Sequence, residues 1–136
     1  MNNKFSSIAV TAALSILAIV ISGCNSRISL VEQGIASVET KPSKNVEILW
    51  TDVFRDGNEI IVYGVVRRRH HTIYPLKTHV DATILTPDGK VLREAHTPDI
   101  YVPRFVPGKG INFKRFEIRF PDMPGNFSVK AAVHSE

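Results

Sequence analysis

From Val46 to Val133 apolar side chains return at every second position, a period that an extended strand can bury and a helix cannot. Leu76–Thr86 is the clearest case. Leu76, Thr78, Val80, Ala82 and Ile84 share one face, while Lys77, His79, Asp81 and Thr83 share the other. Glu59–Arg67 differs, with Ile60, Val62, Gly64 and Val66 on one face and Ile61, Tyr63 and Val65 on the opposite one. Apolar residues on both faces predict a central strand. Val46–Phe54, Val91–Ala95 and Phe127–Val133 read as further strands, and Ile28–Val31 as a short first one. In Ile111–Phe120 the apolar parity changes between Phe113 and Phe116, which predicts a β-bulge near Lys114-Arg115.

Turn chemistry separates these runs. Asp56-Gly57 tolerates the positive φ of a tight hairpin, and Pro87-Asp88-Gly89 presets a second reversal. Pro121–Asn126 supplies a third, whereas Pro98, Pro103 and Pro107 make Thr97–Gly110 an irregular or edge connection. Six or seven short strands with turns roughly every ten residues predict an all-β, antiparallel β-sandwich.

The N-terminus follows other rules. Lys4 precedes 14 residues from Ile8 to Ile21, and the run ends at Ser22-Gly23-Cys24, the single cysteine of the chain. A basic start, a short apolar stretch and small residues at a cleavage point are the parts of a secretory signal, and the stretch is too short to span a bilayer. Ile21-Ser22-Gly23-Cys24 resembles the lipobox of bacterial lipoproteins. The resemblance implies removal of residues 1–23 and a covalent lipid on Cys24, the only cofactor-like group expected. It places the protein on the cell envelope facing the periplasm. Asn25 stands where Asp favours the inner membrane, so the outer membrane is favoured. Residues 24–45 are expected to form a lipidated tether and 46–136 the folded domain.

The mature chain then has 113 residues, enough for one domain, and loss of Lys4 reduces the net charge from +4 to +3. That mild excess and the exported compartment argue against nucleic acid as a partner. With Cys24 acylated, no thiol is left for a disulfide or thiolate metal site.

The strand Ile61-Val62-Tyr63-Gly64-Val65-Val66, the turn Leu85-Thr86-Pro87-Asp88-Gly89-Lys90-Val91-Leu92 and the alternating aromatics of Phe113–Phe120 resemble small immunoglobulin-like bacterial domains of the FxLYD type. The resemblance covers residues 46–133 and implies an immunoglobulin-like sandwich of about seven strands. It carries no catalytic motif.

Candidate contact residues begin with Arg67-Arg68-Arg69-His70-His71. Three guanidinium groups suit anionic lipid, polymer or an acidic protein, although neighbouring side chains of a strand point to opposite faces. The alternative is a solvated strand end whose charges deter edge pairing. Tyr101, Arg104 and Phe105 form a second candidate contact in a mixed aromatic and basic loop, or else cover an open end of the core. A rival reading is a copper- or zinc-handling protein using His70, His71, His79 or His96. His79 and Asp81 lie two apart on one face, but no spacing matches a dedicated metal motif. No nucleophile stands in a recognisable setting, and Asp52, Asp56 and Glu59 lie around a turn where acids are common. The expectation is a membrane-tethered binding or accessory module of the envelope without catalytic activity.

Overall fold

In the computed structural model, residues 27–70, 74, 76–104, 108 and 113–136 are described. They form nine strands: β1 (Ile28–Ser29), β2 (Ala36–Lys41), β3 (Val46–Asp56), β4 (Glu59–Arg68), β5 (Leu76–Leu85), β6 (Val91–His96), β7 (Ile100–Val102), β8 (Phe113–Pro121) and β9 (Phe127–Ser135). No helix among the described residues is long and apolar enough to cross a membrane. One sheet has the order β1-β3-β4-β8; the other has β2-β9-β5-β6, with β7 also paired to β5. The two sheets face each other as a β-sandwich.

Period two explains the core directly. Ile60, Val62 and Gly64 of β4 stand opposite Phe120, Ile118 and Phe116 of β8 within one sheet, and the buried Val66 continues the same face. Val80, Ala82 and Ile84 of β5 and Val129, Ala131 and Val133 of β9 close the layer from the other. β4 is central, and its second apolar face carries the buried Ile61 and Val65 beneath Trp50 and Tyr63, whose rings lie 5.5 Å apart.

Three expectations change. Besides the expected short strand at Ile28, residues 24–45 also contain β2, which belongs to the sandwich, and Leu30 between β1 and β2 is 2% exposed. The cause is pairing: β3 and β9 each have an edge that would leave backbone groups unpaired, and β1 and β2 cover those edges. The pairing is also not wholly antiparallel. β2 runs parallel to β9. Finally, β8 stays in register with β4 from Phe113 to Pro121, so no bulge falls at Lys114-Arg115; Phe113 simply faces solvent. The bulge lies on β3, where Ile48 opposes Val66, Trp50 opposes Val65, and Leu49 is the extra residue.

Candidate binding faces

The arginine run divides by parity. Arg68 continues the inward register of Ile60, Val62, Gly64 and Val66, so it enters the end of the core and is 8% exposed. Its guanidinium donates to the carbonyls of Pro103 (2.7 Å), Val102 (2.9 Å) and Tyr74. Burial lowers its pKa from the usual arginine value, a shift that leaves it protonated. Arg68 therefore fastens β4 to the end of β7 and is a structural cation, which corrects its assignment as a contact residue.

Arg67 and Arg69 point outward. Arg67 Nε donates to Glu47 at 2.8 Å, and Arg69 donates to the Ser43 carbonyl at 3.1 Å. Arg67 and Arg69 share a shallow hollow with Glu47, Leu49, Phe113 and the edge of Arg68. Lys114 and Arg115 of β8 are exposed at the same end, as are Lys44, His70 and Arg104 in adjoining segments. Leu49, Trp50 (46% exposed) and Phe113 add apolar surface there. Because Arg68 holds Val102 and Pro103, the segments around Arg67 and Arg104 meet at one end of the sandwich. Tyr101 does not join them: it sits opposite Lys77 on the outer face of the other sheet. His71, Phe105 and Cys24 lie outside the described residues. Trp50, Leu49 and Arg115 were legible only with the β3 bulge and the β4–β8 register in hand.

The second face is the outside of β5 and β9. His79 is directly opposite His134, and Asp81 is opposite both Ala132 and, on β6, His96. The imidazoles of His79 and His134 stack with centroids 5.1 Å apart. Their Nε2 atoms approach the two oxygens of one carboxylate, His79 to Asp81 Oδ1 at 3.6 Å and His134 to Asp81 Oδ2 at 3.1 Å. One ligand atom from each of the three residues falls within 4.8 Å of the others. His79, Asp81 and His96 also line a hollow with Thr97, Pro98, Asp99 and Glu136. Lys77 engages the last two carboxylates at 3.4 and 3.3 Å, and hydrogen bonds to Glu136 and then Asp99 raise its pKa.

Two inward hydroxyls hold this arrangement from beneath. Thr78 (1% exposed) donates to the carbonyl of His134. Thr97 (4% exposed) accepts from the amide of Val80, and its own amide donates to the Val80 carbonyl. Val80 stands between His79 and Asp81, so both hydroxyls pin backbone at the histidine–aspartate cluster. The sequence pairs His79 with Asp81 by period two; His134 joins only through the β5–β9 register.

Of the acids around the first hairpin, Asp52 is structural. Asp52 accepts from Ser29 Oγ and from the Val53 amide, both at 2.7 Å, and so locks β1 onto β3. Comparison of the chain with protein-family models and with curated proteins gives no match.

Proposed function

We propose that the protein is a lipid-anchored, non-catalytic binding module of the bacterial cell envelope, held at the outer membrane through Cys24 and facing the periplasm. Its contact surface is the basic, partly aromatic end formed by Arg67, Arg69, Arg115, Leu49, Trp50 and Phe113, and its partner is an acidic surface of another envelope protein. One observation carries this reading: Arg67 and Arg69 share a hollow with the exposed Leu49 and Phe113 at one end of the sandwich, and Arg115 has the outer-face parity of Phe113 on β8. Arginine and aromatic residues are the types enriched where protein interfaces concentrate their binding energy.

The position of that end favours a protein partner over the anchoring bilayer. The chain enters the sandwich at Ile28, opposite Arg55 and beside the Asp56–Glu59 turn. Counted along β3 from Arg55, the basic end is about 26 Å away at Glu47, which stands opposite Arg67, and about 17 Å away at Trp50. Four peptide steps from Cys24 to Ile28 reach about 14 Å at most, so the leash is short. An upright domain on such a leash presents Arg67 and Trp50 to the periplasm, away from its own lipids.

Two experiments test the reading. Cys24→Ser is expected to move the protein out of the membrane fraction or leave an unprocessed precursor; normal processing and anchoring of the variant would remove the lipoprotein assignment. A photo-crosslinking residue at position 50, used in the native cell, is expected to trap a discrete adduct. Reversing charge at Arg67, Arg69 and Arg115 should abolish that adduct without changing membrane retention. An adduct indifferent to the reversal, or retention on anionic vesicles that depends on these arginines, would count against a protein partner.

A further inference from the structure

The geometry points to a binding site for one divalent late transition-metal ion, Zn2+ or Cu2+, formed by His79 Nε2, His134 Nε2 and the Asp81 carboxylate on the outer face of β5 and β9. This site lies on the opposite sheet from the basic end and stands independently of the function proposed above.

The distances fit the chemistry. In a tetrahedral site with bonds of roughly 2.0–2.1 Å, neighbouring ligand atoms are about 3.3 Å apart. His134 Nε2 and Asp81 Oδ2 are already 3.1 Å apart, and His79 Nε2 and Asp81 Oδ1 are 3.6 Å apart. With the whole set inside 4.8 Å, rotation of the exposed imidazoles out of their stack closes the site around an ion. Two imidazoles with one carboxylate suit Zn2+, Cu2+ and Ni2+; they lack the all-oxygen shell that Ca2+ and Mg2+ require and the thiolate or thioether that Cu+ prefers. Among the two named ions, Cu2+ binds more tightly by the general order of divalent metals.

A pair of surface ion pairs accounts for less of what is present. Exposed His–Asp pairs of this kind add little to stability. A metal ion would use the neutral rings, and binding requires the stacked imidazoles to turn out of their near-parallel planes, 18° apart, so that both Nε2 atoms face one point beside the carboxylate.

The backbone is also built to hold the ligands still. Thr78 and Thr97 are two of the four buried polar or charged side chains among the described residues, and both spend their hydroxyls on backbone at this cluster. Fixing the strands that carry the ligands is what a preorganised site needs. Nearby, Asp99 and Glu136 are engaged by Lys77, which leaves Asp81 as the carboxylate facing both histidines. His79 and Asp81 also border the hollow lined by His96, Thr97 and Pro98.

Titrating ZnCl2 and CuCl2 into the untagged full chain in detergent tests the site. One ion per chain is expected by calorimetry, and the Cu2+ form should show imidazole-nitrogen coupling in its electron paramagnetic resonance spectrum. His79→Gln and His134→Gln should each weaken binding tenfold or more, and Asp81→Asn should do the same. His70→Gln, at an exposed histidine outside the cluster, should leave affinity unchanged. Far-UV circular dichroism separates ligand loss from unfolding, and the half-exposed positions of His79 and His134 make unfolding an unexpected result. The absence of stoichiometric binding, or equal binding by the His79→Gln/His134→Gln double variant, would overturn the proposal. So would a bound Cu2+ without nitrogen coupling.

Discussion

Arg68→Met should destabilise the sandwich by about 3 kcal/mol, while Arg67→Met and Arg69→Met each stay within about 0.5 kcal/mol. The three residues are adjacent and identical, so the contrast rests entirely on which way each side chain points. Met keeps much of the apolar stem but donates nothing. The carbonyls of Val102, Pro103 and Tyr74 would then lose a charged donor in a largely buried setting, which costs more than an exposed bond. Arg67 loses only an exposed pair with Glu47, and Arg69 only an exposed bond to Ser43. Arg68→Lys should recover little, because one compact ammonium cannot reproduce a planar fork that reaches several carbonyls at once. Thermal unfolding decides the matter, with a fall of roughly 10 °C for Arg68→Met against one or two degrees for its neighbours. Equal shifts for the three variants would mean that Arg68 does not anchor β7.

The role of Arg68 was legible in the sequence, although the run of three arginines hides it. Position 68 has the parity of Ile60, Val62 and Val66, so period two alone sends its side chain inward. The same rule correctly turned Leu76 through Ile84 and Phe127 through Val133 toward the core, because each strand repeats a local pattern. β2 has no such pattern. Ala36-Ser37-Val38-Glu39-Thr40-Lys41 is an edge strand that buries little, and its place is set by parallel pairing with β9 some 90 residues later. Non-local register also explains why the histidine–aspartate cluster was half visible. His79 and Asp81 share a face by local rule, but His134 reaches them only when β9 aligns with β5. Residues 36–41 join the sandwich for the same reason, since pairing with β9 and not a local pattern places them.

Gly64→Ala should destabilise the domain by about 3 kcal/mol, near the upper end of what overpacking a core usually costs. Gly64 lies in the middle of the central strand and faces inward, opposite Thr51 and Phe116. A Cβ there would stand 2.6 Å from the Trp50 carbonyl oxygen and 2.7 Å from Cε1 and Cζ of Phe116. The ring can move; the carbonyl cannot move without disturbing the β3 bulge that sets Trp50 on the outer face. Two readouts follow. Chemical denaturation should show the lost stability, and Gly64→Ala/Phe116→Leu should recover about 1 kcal/mol of it, because the shorter side chain yields space while the carbonyl contact persists. Trp50 is the only tryptophan, so its fluorescence reports the second effect, a shifted emission in the folded variant. That shift ties the interior to the contact surface: a methyl group added in the core should also weaken the crosslink from position 50. A neutral Gly64→Ala, or strict additivity with Phe116→Leu, would show that the strand accommodates the methyl group and that the bulge does not depend on glycine.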